Sequence, residues 1–328
     1  MPANLTPQYE KAEERFKKAQ DDQARLEALQ EMLSTIPKHK GTEKMQADLK
    51  RRMSQLRKDA DKKKAAKGGG VDFFHVPKSG AGQVVLLGLP NVGKSMLVAT
   101  TTNAPVKVAD YPYTTAIPAP GMWPYEDVQI QLVDTPPVTA DHVPGGLLGT
   151  VRSADIIALV VDAAADPLEE AETLLGILRG RGLELSTRPL KELGGQESTQ
   201  RCTLILATKL DQAGPEAIQA LRELYEPGLA VLGVSAVSGE GLDVLKNRLW
   251  ELLSVIRVYT KEPGRPVDKE KPYILPAGST VNDLASQIHR DLPEKMKFAR
   301  VWGDGRYSGQ QVHRTDLLQD KDVVEIHH

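Results

Sequence analysis

The sequence predicts an α/β fold, a mostly parallel sheet with helices on both faces. Three observations support this. Apolar runs typical of buried strands alternate with helical stretches through the middle of the 328-residue chain. The first run leads into a glycine-rich loop of the form G-x-x-x-x-G-K-[ST]. The flanking segments differ in pattern, so we expect a helical hairpin over 1–70, the α/β domain over 71–256 and a small β-grasp module over 257–328.

The composition is that of an ordinary globular protein. Hydrophobic residues make up 40% and charged residues 26% of the chain. The net charge of −2 gives no overall field that favours nucleic acid or membranes, and 5% aromatic residues argue against extended base-stacking surfaces. Cys202 is the single cysteine, so no internal disulfide forms, and no apolar stretch approaches the ~20 residues of a membrane helix. We expect a cytoplasmic protein without a membrane segment.

The N-terminal segment is predicted to form two amphipathic helices. Apolar residues recur at helical spacing over 16–36, which predicts one helix, and over 45–56, which predicts a second. Residues 38–67 hold 12 Lys or Arg and 4 Asp or Glu, a local net charge of +8. A solvated helix face and a surface that contacts a phosphate backbone explain this charge equally well. Glycines 68–70 predict a flexible joint.

The middle segment supplies the strands and helices of the α/β domain. Its apolar runs predict strands over 84–87, 128–133, 156–161, 203–207 and 230–234. Helices are predicted over 95–102, 168–178, 215–225 and 242–256. Ligands of such sheets bind at the carboxyl ends of the strands, so residues that follow the strands are expected at one shared edge.

The glycine-rich loop at 88–95 is a predicted phosphate-binding loop. Gly88 and Gly93 allow backbone N–H groups to curl around phosphate oxygens, and the start of the next helix adds partial positive charge. Lys94 is expected to reach the β- and γ-phosphates, and Ser95 to ligate Mg²⁺. The predicted nucleotide contacts of this loop are Gly88, Pro90, Asn91, Val92, Gly93, Lys94, Ser95 and Met96.

Two further segments are candidates for the metal site. Asp134 follows the strand over 128–133, where a carboxylate can hold Mg²⁺ through water. A proline-bearing loop over 111–115 ends in Thr114 and Thr115. Either threonine can complete the Mg²⁺ shell when a γ-phosphate is present, as in loops that become ordered on nucleotide binding.

Two motifs near the ends of later strands predict a guanine site. The Asp211 carboxylate can accept hydrogen bonds from guanine N1 and N2, a pair that adenine lacks, which favours GTP over ATP. Lys209 can lie over the base, and the Ala236 amide can contact the guanine carbonyl oxygen. The predicted base contacts are Thr208, Lys209, Asp211, Ser235, Ala236 and Val237.

Taken together, these motifs resemble a known family. G-x-P-N-V-G-K-S, Y-P-[YF]-T-T, D-x-P, T-K-x-D and S-A resemble the Obg-type branch of P-loop GTPases. Ile-Pro-Lys-His-Lys-Gly-Thr-Glu-Lys at 36–44 resembles the developmentally regulated GTP-binding (DRG) subgroup. Residues 273–285 resemble a TGS domain, the β-grasp module of threonyl-tRNA synthetases and stringent-response enzymes. The resemblance implies a GTPase associated with ribosomes or translation.

The resemblance also implies cofactors, roles and partners. It implies hydrolysis of GTP to GDP with Mg²⁺ and K⁺, at low intrinsic activity, with Asn91 helping to hold K⁺ near the phosphates. Lys94, Thr115 and Asn91 are then the catalytic candidates. The expected partners are RNA or the ribosome, bound through the basic hairpin and the TGS module, and an unidentified protein.

Three departures from the family pattern affect this expectation. Pro137 replaces a glycine whose N–H contacts the γ-phosphate, and proline has no N–H, so we expect a weakened link between γ-phosphate and the second switch. Val138 stands where many GTPases carry a glutamine that orients water. DRG proteins carry an extra subdomain inside the GTPase domain, and residues 183–189 resemble the segment that leads into it. Only residues 190–200 lie between this segment and the next strand, so the subdomain is expected to be missing.

Two alternatives remain beside an active GTPase. The chain can be a GTP-gated RNA- or ribosome-binding protein that hydrolyses GTP slowly or not at all, which Pro137 and Val138 favour. It can also be an ATPase, as in one related TGS-bearing branch, although Asp211 argues against adenine.

Overall fold

The computed structural model describes 73–102, 117–195, 198–226 and 228–328. It also describes seven residues nearer the N-terminus, namely Arg15, Phe16, Ala28, Leu29, Glu31, Met32 and Thr35. The chain divides into two units, 1–72 and 73–328, and each is considered by itself. The loop over 103–116, with the predicted threonine ligands, lies outside the described residues.

The described residues of the N-terminal unit are helical, but they do not form the single helix predicted over 16–36. Arg15 Nη1 and Glu31 Oε2 are 2.9 Å apart. Sixteen residues along one straight helix would separate them by about 24 Å. Phe16, which follows Arg15, and Glu31 therefore lie on different helices, and that prediction is wrong. The remainder of the predicted hairpin, including the basic segment over 38–67, lies outside the described residues.

The larger sheet of the second unit is mostly parallel. Its strands in the described ranges are β1 (Gln83–Gly88), β2 (Ala119–Tyr125), β3 (Val128–Asp134), β4 (Ile156–Asp162), β5 (Glu184–Ser186), β6 (Gln200–Thr208) and β7 (Ala230–Gly233). The spatial order is β2-β3-β1-β4-β6-β5, and β7 also pairs with β6. Every pairing is parallel except that of β2 with β3.

Helices cover both faces of this sheet. They are α1 (Lys94–Thr101), α2 (Leu147–Ser153), α3 (Pro167–Arg179), α4 (Pro215–Tyr225) and α5 (Leu242–Leu253). Val85 and Leu87 of β1 belong to a buried cluster with α2, α3 and α4. Val84 and Leu86 belong to another with α1 and α5. Since alternate residues of a strand point to opposite faces, the two clusters are the two faces of one sheet, which confirms the predicted α/β fold.

A second, smaller sheet follows. Its strands are β8 (Val255–Thr260), β9 (Asp268–Pro276), β10 (Phe298–Trp302), β11 (Gln310–Val312) and β12 (Asp322–His327), in the order β11-β10-β12-β8-β9. The helices α6 (Val281–Ile288) and α7 (Leu292–Lys295) lie between β9 and β10 in the chain. Val258 and Val324 pack with Leu284 of α6 in one buried cluster. A capping box between Thr280 and Asp283 fixes the start of α6.

Several elements differ from the sequence prediction. The helix predicted over 242–256 ends at Leu253, because Ser254 takes a left-handed conformation with φ 50° and Val255 begins β8. Strand β2 was not predicted because its prolines, such as Pro120, are typical of loops. Proline is tolerated there because β2 is an edge strand. The short elements β5, β11, α2 and α7 were also not predicted.

Arg257 of β8 connects the two sheets. Its guanidinium, only 2% exposed, donates to Glu126 at 2.6 Å, Asp127 at 2.8 Å and Asp320 at 2.7 Å. The first two carboxylates lie in the turn between β2 and β3. The guanidinium also lies 4.8 Å from the ring centroid of Trp250. Burial opposes its charge, but the three carboxylates outweigh burial and raise the pKa of Arg257. The turn of the larger sheet is therefore fixed to the smaller one.

Candidate nucleotide-binding site

The carboxyl ends of the parallel strands bring the predicted motifs to one edge. Gly88, Asp134, Asp162 and Thr208 end β1, β3, β4 and β6. The strand register pairs Leu86 with Asp134 and Asp162 with Thr208, so these ends lie side by side. The phosphate and guanine motifs therefore share the edge at which such sheets bind ligands.

The phosphate loop has the backbone that its sequence predicts. Asn91 and Gly93 have left-handed φ values of 63° and 88°. A Cβ atom on Gly88 would come within 2.5 Å of the Val160 carbonyl oxygen, so glycine is required there. The N-cap of α1, which begins at Lys94, is Gly93, so the N-cap residue supplies no side-chain hydrogen bond. Backbone N–H groups at a helix N-terminus and the positive end of the helix dipole together favour an anion at this point.

Lys94 lies inside the loop rather than in solvent. It is 6% exposed, and its Nζ donates to the carbonyl oxygens of Gly88 at 3.0 Å and Leu89 at 2.8 Å. Burial lowers the pKa of Lys94 to about 8, and the negative charges of Asp134 and Glu170 partly oppose this shift. The ammonium group is therefore held at the position from which it can contact phosphates.

Ser95 and Asp134 form the candidate magnesium site. The Ser95 hydroxyl donates to Asp134 Oδ2 at 2.6 Å, and Asp134 is fully buried at the end of β3. A hydroxyl and a carboxylate beside a phosphate loop are the oxygen ligands that Mg²⁺ prefers, so these residues fit the ion. Thr114 and Thr115, the other predicted ligands, lie outside the described residues.

The segment after Asp134 is anchored in the protein interior. The Thr135 hydroxyl donates to the Leu86 carbonyl oxygen at 2.6 Å, and Pro137 is buried. The Val138 side chain is fully buried in the cluster formed with α2, α3 and α4. The Val138 N–H donates to the Gly88 carbonyl oxygen at 3.2 Å. The valine is therefore a core residue, and its backbone contacts the phosphate loop.

The Thr208 and Lys209 side chains tie the guanine motif to its neighbours. The Thr208 hydroxyl donates to the Val92 carbonyl oxygen at 2.6 Å, which joins the end of β6 to the phosphate loop. Lys209 has a left-handed φ of 59°, and its Nζ is 2.5 Å from Asp162 Oδ2. The motif predicted to bind the base and the predicted phosphate loop are thus held in fixed positions relative to each other.

Asp211 and Ser235, two of the residues predicted to contact guanine, are joined by a hydrogen bond. The buried Ser235 hydroxyl donates to Asp211 Oδ1 at 2.5 Å, and this hydrogen bond lowers the pKa of Asp211. Ser235 Oγ also accepts from the Val237 amide at 3.2 Å, which shapes the loop that presents Ala236. Asp211 itself is exposed. An ionised carboxylate with a fixed orientation is suited to accept two N–H groups from a base.

The side chains of the other predicted contacts are more exposed. Asn91 and Met96 are exposed, Met96 by 40%, and Val237 is 75% exposed. Pro90 and Ala236 are half-buried. These residues can therefore contribute backbone groups or edges of the site, rather than a buried lining.

Two carboxylates of the site were missed at the sequence level. The Asp162 N–H donates to Glu170 Oε2 at 2.7 Å, and burial raises the pKa of Glu170. Asp162 follows an apolar run that predicts a strand, and this is the same pattern that identifies Asp134 as a candidate. The pattern could therefore have identified Asp162 as well. Glu170 lies inside α3, where an acidic residue in the first turn is common, and carried no signal.

Outside this site, the described residues contain neither a reactive cysteine nor a membrane helix nor a metal cluster. Cys202 is fully buried, and burial raises the pKa of its thiol to about 12, so it is a core residue, as its sequence context predicts. The described ranges contain no helix that has both the length and the apolarity to cross a membrane. They also contain no cluster of three His, Cys, Asp or Glu residues able to hold a metal ion.

Two known families match separate parts of the chain. Residues 83–188 match the family described as 50S ribosome-binding GTPase. Residues 256–328 match the TGS domain. The first match contains the phosphate loop, and the second contains the smaller sheet.

Several relatives align with this chain over nearly their full length. An uncharacterized GTP-binding protein of Halobacterium salinarum is 30% identical over 92% of this chain and 97% of its own. GTP-binding protein 1 of Schizosaccharomyces pombe is 30% identical over 92% of this chain and 98% of its own. Developmentally-regulated GTP-binding protein 1 of Xenopus laevis is 27% identical, over 92% and 98%. Among solved structures, the G domain of the T. maritima FeoB iron transporter is 25% identical, covers 52% of this chain and 97% of its own, and has a TM-score of 0.37.

The alignment with the archaeal relative is longer than this chain. It spans 364 positions, whereas the chain has 328 residues, so the relative carries residues that are absent here. Strand β5 ends at Ser186 and β6 begins at Gln200, which leaves a short connection of 187–199. The position of the extra residues in the relative is not given by these lengths, so the absence of the subdomain between β5 and β6 stays a prediction.

Proposed function

The chain belongs to the developmentally regulated GTP-binding protein family, and from this premise we propose that it binds GTP with Mg²⁺ and hydrolyses it slowly to GDP and phosphate. One observation carries the proposal. The same sheet edge holds the phosphate loop with Lys94, the pair Ser95–Asp134 and the pair Asp211–Ser235. These groups supply contacts for the phosphates, the metal and the guanine base.

Different residues of the site bind the phosphates and the guanine base. Lys94 and the backbone N–H groups at the start of α1 bind the phosphates and stabilise the charge that develops on them during transfer. Asp211 accepts the N1 and N2 hydrogens of guanine. Lys209 covers the base face when its ammonium group leaves Asp162.

The metal ligands are Ser95 and Asp134, joined by Thr114 or Thr115. Ser95 would hold Mg²⁺ with its hydroxyl and Asp134 with its carboxylate. When bound, Mg²⁺ neutralises phosphate charge. The buried position of Asp134 holds its carboxylate in place without help from solvent.

Low intrinsic activity follows from the second switch. Val138 is buried and cannot orient a water molecule, and Pro137 has no N–H to offer a γ-phosphate. We therefore propose that hydrolysis uses a K⁺ ion held with the help of Asn91, whose exposed side chain lies on the phosphate loop.

The cellular role that we propose is a switch associated with ribosomes or translation in the cytoplasm. The match over 83–188 to a family described as 50S ribosome-binding GTPase, and the TGS match over 256–328, support this role. We retain the domain limits 1–70, 71–256 and 257–328 as part of the proposal. The basic segment over 38–67 and the TGS module are the proposed contacts to RNA or the ribosome.

The test is multiple-turnover GTP hydrolysis by the purified protein in K⁺ and in Na⁺ buffers of equal ionic strength. Turnover that rises in K⁺ supports a potassium-activated GTPase. Turnover that is equal in both salts contradicts the role of K⁺. A protein that fails to bind GDP or GTP, or that binds ATP equally well, contradicts the nucleotide assignment itself.

A GTP-gated RNA- or ribosome-binding protein is the second candidate. The buried Val138 favours it, because an anchored second switch neither positions water nor moves freely. Tight GTP binding without turnover, in either salt and with added ribosomes, would select this candidate. Turnover that appears only with ribosomes would instead support an enzyme that needs an activating partner.

A further inference from the structure

The TGS sheet has one face covered by α6 and an opposite face that carries aromatic and basic side chains. Phe298, Arg300 and Trp302 alternate along β10 with the core residues Ala299 and Val301, and they therefore point away from α6. We propose that this open face, formed by Lys261, Phe298, Arg300, Trp302 and His327, binds single-stranded RNA. The proposal deepens the proposed association with RNA, and it is independent of GTP hydrolysis.

The rings on the open face are already held in stacked arrangements. Phe298 and His327 lie opposite each other in the register of β10 and β12, with ring centroids 4.3 Å apart and planes 16° apart. The Arg300 guanidinium lies 6.0 Å from the Phe298 ring, and Lys261 Nζ lies 4.5 Å above the Trp302 ring. Rings fixed beside cations form the kind of platform on which unpaired bases stack.

A cavity of about 350 Å³ is lined by Phe298 together with Lys297, Gln311 and Arg314, and by no acidic residue. An aromatic residue and basic residues around one cavity suit a base with its attached phosphate. The cavity therefore adds a candidate position for a nucleotide beside Phe298.

The charge around the face is positive. In the part of the chain that the structure describes, Lys297, Arg300 and Arg314 form no ion pair. Glu325, a carboxylate on the same face, is already engaged, with Lys261 at 3.0 Å and His327 at 2.7 Å. Unpaired cations beside a neutralised carboxylate favour a polyanionic partner.

Rings and cations together favour single-stranded RNA over other polyanions. An acidic peptide would pair with the cations but would not stack on the aromatic rings. An RNA duplex keeps its bases inside the helix, where they cannot stack on these rings. The low aromatic content of the chain does not oppose this, because composition averages over 328 residues and Phe298, Trp302 and Tyr259 gather on one small sheet.

Within the described ranges, the larger sheet contacts the other end of this face. The Tyr259 hydroxyl donates to Asp127, and Arg257 binds the same β2–β3 turn. Tyr259 and Arg257 lie on β8, whereas Phe298 lies on β10, two strands away. The stacked pair therefore lies apart from this contact.

The test is binding of a 5′-fluorescein-labelled ten-nucleotide oligo(U) to the full chain, followed by anisotropy over a range of salt concentrations. We expect Phe298→Ala to weaken binding about tenfold or more, as for loss of one stacked base, and Phe298→Trp to retain it. R300E should weaken binding and lower the slope of log affinity against log salt by about 0.7 or more. R290E is the matched control, because Arg290 is 94% exposed just after α6, on the other side of the sheet.

Each outcome decides the proposal. Equal weakening by R290E and R300E, or no effect of Phe298→Ala, would overturn it in favour of general polyanion binding. Equal competition by a poly-glutamate peptide or by an RNA duplex would overturn it in favour of an acidic protein or duplex RNA. A 4-thiouridine RNA that gives no crosslink to 261, 295–302, 311–314 or 323–327 would also contradict it. Binding of fluorescent GDP to the same variants should not change, so a failure of the nucleotide assignment is visible separately.

Discussion

Replacement of Asp211 by asparagine should change the base specificity of the site. The carboxylate is ionised at neutral pH, because the Ser235 hydrogen bond holds its pKa below its usual value. Asparagine keeps one oxygen to accept from Ser235, at the 2.5 Å contact seen here, so the loop should fold normally. Its amide nitrogen, however, is a donor that faces the donor N2 group of guanine.

The size of the effect follows from the hydrogen bonds that are lost. Asp211 is placed to accept two hydrogen bonds from guanine, and asparagine loses one of them and sets a donor against a donor in its place. We therefore expect GDP binding to weaken by roughly tenfold or more. Xanthine carries a carbonyl oxygen where guanine carries N2, so the amide donor should restore binding of xanthosine diphosphate.

The assay is titration with fluorescent GDP and fluorescent xanthosine diphosphate, with thermal melting to verify folding. Asp243→Asn is the matched control, since the Asp243 side chain is 92% exposed at the start of α5. The control should bind GDP like the parent protein. If Asp211→Asn binds GDP within threefold of the parent, or binds the xanthosine nucleotide no better than the parent does, the guanine role of Asp211 is refuted.

Three further predictions concern the domain joint and the second switch. Arg257→Met should lower the free energy of unfolding by about 2–4 kcal/mol in urea denaturation, whereas Arg290→Met should change it by less than about 0.5 kcal/mol; equal effects would contradict a structural role of the joint. The carboxylates around Arg257 have pKa values below their usual values in the folded protein, so the unfolded chain binds more protons in acid. The free energy of unfolding should therefore fall as the pH drops below about 4, and it should fall less steeply in Arg257→Met. Urea titrations at several pH values measure both. Pro137→Gly should raise GTP turnover or sharpen discrimination between GTP and GDP, and no change in either measurement would contradict the argument from the missing N–H.

The sequence predicts the placement of the candidate site residues at one sheet edge where the motifs lie beside the strands in the chain. The loop over 88–95 and the residues Asp134 and Asp211 follow apolar strands directly, and parallel strands bring their carboxyl ends together. The burial of Val138 was not predictable, because its position after two prolines reads as an exposed loop. Its burial depends on how α2 and α3 pack over the segment.

Long-range contacts were the other part that sequence could not supply. Arg257 pairs with Glu126, which is 131 residues earlier in the chain, and no local pattern connects them. The same holds for the Arg15–Glu31 contact, which separates Phe16 from the helix expected to contain it. Helical periodicity shows which residues share a face, but a chain reversal between them can leave the period nearly intact.

Strand β2 has a mechanical consequence for signalling. It begins at Ala119, paired with Asp134 beside the nucleotide edge, and ends at Tyr125, next to the turn that Arg257 holds. Seven extended residues make a stiff rod of about 23 Å. A displacement of Ala119 along the rod must either be absorbed by the β2–β3 pairing or push against Arg257. We therefore expect a displacement at the candidate metal site to reach the Arg257 contact with the TGS sheet along β2.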